Sequence, residues 1–140
     1  MERTVIRPPS LPKPRGFSHG ILVKGGHLLF LAGQDASDAQ GRITAPGDLL
    51  GQFEQALRNL GAVVQAAGGT LRDVTKMTIY VRDRRTYLAS LAPIGEIFRR
   101  HFGDHYPALA FFEVSGFFQE HALVEVEGIA VLDATASPRR

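Results

Sequence analysis

The sequence predicts an α+β fold, β-β-α-β-α-β-β, with two helices on one face of a mixed sheet. Three observations predict it. An apolar stripe at three- and four-residue spacing runs from Leu49 to Ala67, and a second runs from Leu91 to Phe102. Five short apolar, β-branched-rich runs flank these stripes. With 140 residues, 44% of them hydrophobic, the chain is the size of one core, and we expect a single domain over 1–140.

The first sixteen residues form a Pro-rich N-terminal segment. Arg7 to Gly16 contains Pro8, Pro9, Pro12 and Pro14, which lack the backbone donor that helices and central strands need, so it reads as a loop. Gly20–Lys24 and His27–Gly33 read as strands, with Gly25-Gly26 as the tight turn of an antiparallel hairpin. Asp35 to Gly47 is polar and leads to Asp48, a good N-cap. Leu49, Phe53, Ala56, Leu57, Leu60, Val63, Val64 and Ala67 then share one helical face, and Gly68-Gly69 stop the helix.

Val74–Val81 reads as a strand with Thr75, Met77, Ile79 and Val81 on one face and Lys76, Thr78 and Tyr80 on the other. Leu91, Ile94, Ile97, Phe98 and Phe102 line the second helix, with Ser90 as its cap and Pro93 accepted because it falls in the first turn. Ala108–Ser115 and Ala122–Leu132 are the closing strands, and 133–140 reads as a flexible tail. The last strand is largely apolar on both sides: Ala122, Val124, Val126, Ala130 and Leu132 face one way, and Leu123, Ile129 and Val131 face the other with Glu125 and Glu127. Two helices cover only one face, so the second face is expected to meet other subunits.

Composition excludes several function classes. Sixteen basic against fourteen acidic residues leave a charge of +2, too little for a nucleic-acid groove. With no cysteine there is no disulfide, no thiolate zinc site and no cysteine nucleophile. No eighteen-residue apolar run and no signal-peptide core are visible, so the expectation is a cytoplasmic protein without membrane association. Ser18 and Ser115 lack a nucleophile elbow, and the glycine pairs lack the strand–loop–helix context of a phosphate loop. Phe111-Phe112 and Phe117-Phe118 read as core and subunit packing rather than base-stacking platforms. His101, His105 and His121 show no ligand spacing and read as surface residues, and no metal is expected.

Glu125 and Glu127 lie two apart on one strand, hence on one face about 7 Å apart. Enclosed there, desolvation and like charge raise one carboxyl pKa, which suits a general acid or base. Alternatively the pair is structural and meets Lys76 or Arg82 on an adjacent strand.

Five segments resemble the Rid family (reactive intermediate deaminases, also called YjgF/YER057c/UK114 or L-PSP proteins). They are Phe17-Ser18-His19, Leu29 to Gln34, Gln52 to Leu60, Ala66 to Val74 and Val124 to Val131, in the family's order and separations. The resemblance implies a chorismate-mutase-like fold and a homotrimer whose sheets form a central barrel, with ligand clefts between subunits. It also implies hydrolysis of imines and enamines without a cofactor. An arginine grips the substrate carboxylate, a glutamate positions water and backbone groups orient the imine.

On that resemblance the glutamate falls on Glu125, Glu127 stays structural, and Gly33 is a substrate-binding position. The arginine that follows Pro-Ala in the family is replaced by Leu109, after Pro107-Ala108. The family's tyrosine falls on Phe17, its asparagine on Leu91 and its cysteine on Phe111. His19, beside Phe17, is a substrate-binding or proton-shuttle position, with a capping role as its alternative. A cleft of Phe17, Leu91, Leu109 and Phe111 disfavours a buried carboxylate, and with it 2-aminoacrylate as substrate. Arg15, Arg84 or Arg85 could replace the missing cation from loops. The expectation is a Rid-like deaminase of a small, relatively apolar molecule, with a non-catalytic small-molecule-binding protein as the alternative and an RNA-related role last.

Overall fold

A computed structural model of the chain describes residues 1–139. Arg140, the end of the tail expected to be flexible, lies outside the described residues. Among the described residues there are six strands and three α-helices: β1 (Glu2–Ile6), β2 (Gly20–Lys24), β3 (His27–Gln34), α1 (Leu49–Ala66), β4 (Val74–Val81), α2 (Arg84–Leu88), α3 (Leu91–Phe102), β5 (Ala108–Glu113) and β6 (Val124–Leu132). The α+β class and the mixed sheet are as expected. A 3₁₀ turn, Leu71–Asp73, leads into β4 and is held by a reciprocal Thr70–Asp73 capping box.

The main sheet has the order β3-β6-β4-β5, with β4 and β5 parallel and the other neighbours antiparallel. Helices α2 and α3 form the crossover that a parallel pair requires. The helices cover one face, where Phe53, Leu57 and Leu60 of α1 and Ile97, Phe98 and Phe102 of α3 meet Leu31, Met77, Ile79, Val124 and Val126. Asp48 caps α1 by accepting from Gly51 N at 3.0 Å. The opposite sheet face carries no helix, and it holds Leu28 and Phe30 of β3, Tyr80 of β4, Phe112 of β5 and Glu125, Glu127 and Ile129 of β6.

Three expectations are corrected. β1 lies in the N-terminal segment just before the Arg7–Gly16 loop, where no strand is expected, and pairs antiparallel with β2, from Glu2↔Lys24 to Ile6↔Gly20. Its five residues are all exposed, so burial imprints no apolar alternation on them, and the pairing is decided by β2 thirteen residues away. The β2–β3 hairpin is absent as a ladder. Gly25 and Gly26 do turn the chain with φ of +80° and +86°, but β2 pairs with β1 while β3 pairs with β6. β3 joins β6 because that register lets Leu29 and Leu31 pack into the core below the helices.

The third correction is α2, a helix that the expected element order does not contain. It is capped by the Asp83 side chain, which accepts from Arg85 N at 2.9 Å and Thr86 N at 3.3 Å, and it is too short to show a helical period. Ser90 does precede α3, but its hydroxyl donates to Thr86 O at 2.9 Å instead of capping α3. The closing strands are shorter than expected: β5 stops at Glu113 and β6 starts at Val124. Beyond β6, Asp133–Ala136 form a turn and Arg139 N donates to Ala66 O at 2.7 Å.

Candidate functional site

The family-matched positions divide between the two faces of the main sheet. On the helix side a cavity of about 410 Å³ opens between α2, α3, β5 and the loop before β2. Phe17, Leu91, Leu109 and Phe111, four of the expected positions, all line it. Leu109 and Phe111 point there because they share a face with Met77 and Ile79, their register partners on β4. Tyr87, Phe98 and Tyr106 complete the aromatic wall, with Tyr87 packed on Phe111 at a centroid distance of 4.5 Å and Phe98 stacked on Tyr106 at 5.9 Å. Burial pushes the Tyr87 phenol up to about 12, so it stays protonated near neutrality.

Of the three loop arginines considered from sequence, Arg15 lines this cavity. Arg84 and Arg85 do not, being held at the start of α2, where the Arg84 N–H donates to Glu113 and the Arg85 N–H to Asp83. Arg99, passed over in the sequence because it reads as an ordinary solvent-facing helix residue, lines it as well. Tyr87 was missed with the short helix that carries it.

Glu125 is on the other face. On β6 it alternates with Val124 and Val126, which enter the core, and its cross-strand partner is Tyr80. The β3–β6 ladder breaks between Leu31 and Gln34, and at this bulge Gly33 passes over Glu125. A Cβ on Gly33 would overlap Glu125 Oε1 and lie 2.9 Å from its carboxyl carbon, so a side chain there would push the Glu125 carboxyl out of this position. Phe117, Phe118, Tyr80 and Glu127 border the same open hollow of about 380 Å³.

Glu127 meets neither Lys76 nor Arg82. Its Oε1 accepts the hydroxyl of Tyr80, an arrangement that raises the Tyr80 pKa first by the hydrogen bond and then by burial. Glu125 has no ion pair among the described residues, and its pKa is raised from the ordinary 4.5, chiefly by burial and then by the charges of Asp35 and Glu127. The folded chain therefore keeps this proton in a pH window where the unfolded chain has lost it. The associated stabilisation is present below pH 4.5 and is lost as pH rises through the folded value. Glu125→Gln should raise the melting temperature near neutral pH by about one to three degrees, with no gain below about pH 4. Calorimetry at both pH values checks this, and an equal change at both would refute the raised carboxyl.

His19 lines neither space. Its Nε2 lies 2.7 Å from Pro12 O, a carbonyl that can only accept, so the ring donates there and ties the Pro-rich loop while its edge meets Phe17 at 5.2 Å. Two other histidines are less superficial than expected: His101 Nε2 lies 3.1 Å from Glu54 Oε1, and His105 Nε2 lies 2.6 Å from Val74 O. Among the described residues no group of three His, Cys, Asp or Glu side chains could hold a metal ion.

Residues 10–132 match the family profile described as Endoribonuclease L-PSP. The chain belongs to the Rid (L-PSP) family. A RutC family protein of Pyrococcus horikoshii is 35% identical over 128 residues, covering 91% of this chain and 97% of that one. A protein of Dermatophagoides farinae named 2-iminobutanoate/2-iminopropanoate deaminase is 28% identical over 132 residues, covering 94% and 98%. The crystal structure of the Rid-family protein YyfB from Yersinia pestis superposes with a TM-score of 0.84 at 36% identity, covering 94% of this chain and all of the other. This Rid-family chain thus carries an apolar cavity on the helix side of the sheet, and the Glu125–Gly33 contact on the opposite face. Among the described residues no helix is long and apolar enough to cross a membrane.

Proposed function

We propose that the protein hydrolyses an imine or enamine of a small, relatively apolar molecule, with Glu125 orienting the attacking water. The observation that carries this reading is the Glu125–Gly33 contact: a carboxyl with a raised pKa is held against the bare backbone of Gly33 and borders an open hollow. Water adds to the C=N carbon while its proton passes to Glu125. The carboxylic acid returns a proton to the nitrogen, and the tetrahedral intermediate expels ammonia to leave a carbonyl compound. An enamine must first take a proton at carbon to become the imine. The deaminase name of the mite relative supports this class of reaction.

Glu125 and the apolar cavity cannot share a substrate within one chain, because the sheet separates them. The reading therefore includes a homotrimer in which the open sheet face of one subunit closes the cavity of its neighbour. Phe30 is 72% exposed and Phe118 fully exposed in the isolated chain, and with Leu28 and Phe112 they leave this face apolar. Phe30→Asp is expected to convert trimer to monomer in multi-angle light scattering; an unchanged trimer would place Phe30 outside the interface. Val131 is a poorer probe, since it is already buried within the chain and its carbonyl accepts from Arg3.

The reading is tested by ammonia release from imines generated in situ from small, branched and aromatic amino acids. A second reading, a binding protein without turnover, is favoured by Leu109, because loss of a fixing cation costs positioning. It expects thermal stabilisation by ligands and no ammonia from any imine.

A further inference from the structure

The helix-side cavity is apolar along its walls but ends at two cations. Arg15, in the loop before β2, and Arg99, in the last turn of α3, both line it and both are exposed. Neither makes an ion pair among the described residues, and no Asp or Glu lines the cavity. The next residue on α3 shows the contrast, since Arg100 is drawn 3.6 Å from Glu54.

Gly95, one turn before Arg99, also lines the cavity. A Cβ on Gly95 would stand 3.1 Å from Arg99 Nη1. The guanidinium thus folds back over the bare Cα of Gly95 at the cavity mouth, in space that any larger residue would contest. Glycine is a poor choice inside a helix, so this position trades helix propensity for the placement of a cation.

We propose that Arg99, with Arg15 beside it, is the anion-recognition group of this cavity. The ligand class is an aromatic or branched apolar body seated among Phe17, Leu109 and Phe111, with one carboxylate or similar anion held at the mouth. Two parallel N–H donors of a guanidinium match such a group, and the mouth leaves it partly hydrated, which a carboxylate against Leu109 would not be. This inference rests on the reading of the cavity as the substrate pocket, and it names the substrate class of that pocket.

The test compares 3-phenylpropanoate with its neutral isostere 3-phenylpropanamide by isothermal titration of the full-length protein at low salt. The wild type is expected to prefer the acid by about tenfold or more, with the preference shrinking as salt rises. Arg99→Gln should remove the preference and leave amide binding unchanged. Gly95→Ala, whose Cβ would press on the guanidinium by a few tenths of an ångström, should reduce the preference only in part, while raising the melting temperature because alanine favours the helix. Equal binding of acid and amide by the wild type, binding of neither, or a preference that survives Arg99→Gln each overturns the proposal. Because the titration does not depend on turnover, an acid preference lost in Arg99→Gln upholds it even if no imine is hydrolysed. Hydrolysis lost in Glu125→Gln without any acid preference overturns this proposal alone.

Discussion

Glu125→Gln is expected to lower kcat for imine hydrolysis by about 10² to 10⁴-fold while leaving KM within about threefold. The amide preserves the size of the side chain and its contact with Gly33 but cannot accept the proton of the attacking water. KM is spared because Glu125 does not line the apolar cavity proposed to hold the body of the substrate. The acid limb of the wild-type pH–rate profile should lie above the ordinary carboxylate range, in the direction of the Glu125 shift, and should vanish in the variant. Ammonia release across the imine panel, followed with pH for both proteins, reads all three. A variant as fast as the wild type would remove Glu125 from the mechanism, and a wild type that accelerates no imine would favour the binding reading.

Gln52→Leu is expected to destabilise the fold by about 2–5 kcal/mol without changing its architecture. Gln52 is fully buried in α1, and its amide joins two chain segments. Its Nε2 donates to Ala45 O at 3.2 Å and to His121 O at 3.0 Å, and its Oε1 accepts from Leu123 N at 2.8 Å. Leucine suits the helix and the core volume, but it leaves His121 O and Leu123 N without partners, while Ala45 O keeps the Asp48 N–H at 3.1 Å; each unsatisfied buried group costs about 1–3 kcal/mol. Urea denaturation checks this, with the midpoint falling and the slope preserved. A midpoint unchanged within error would show that water reaches those groups. Because Leu123 leads directly into β6, the same substitution should also lower activity more than stability loss alone explains.

The two long helices were legible because their periodicity is a record of burial. Of the stripe from Leu49 to Ala67, Leu49, Phe53, Ala56, Leu57, Leu60 and Val64 are buried in the core, Ala67 is partly buried, and Val63 is exposed. The inner face of β4 was legible for the same reason at period two, through Met77, Ile79 and Val81. β1 was illegible because Glu2–Ile6 bury no side chain in this chain, and a strand held by backbone pairing alone has no side-chain signature. The Gly25-Gly26 turn was read correctly as a turn and wrongly as a hairpin, since backbone twist at two residues does not specify which edge each strand will join.

By itself the sequence determined the α+β class, the apolar stripes, family membership and the apolar character of Phe17, Leu91, Leu109 and Phe111, because residue identity and local period are carried in the chain order. Only the tertiary structure decided which faces these residues occupy. Side-chain direction on β5 and β6 depends on their register with β4, so Leu109 turns towards α3 and Glu125 towards the open face. The cation at the cavity mouth was likewise a tertiary matter. Arg99 reaches it because the helix turn sets it above Gly95 and the packing of α3 against α1 and α2 brings that turn to the opening, a coincidence of distances that no local pattern encodes.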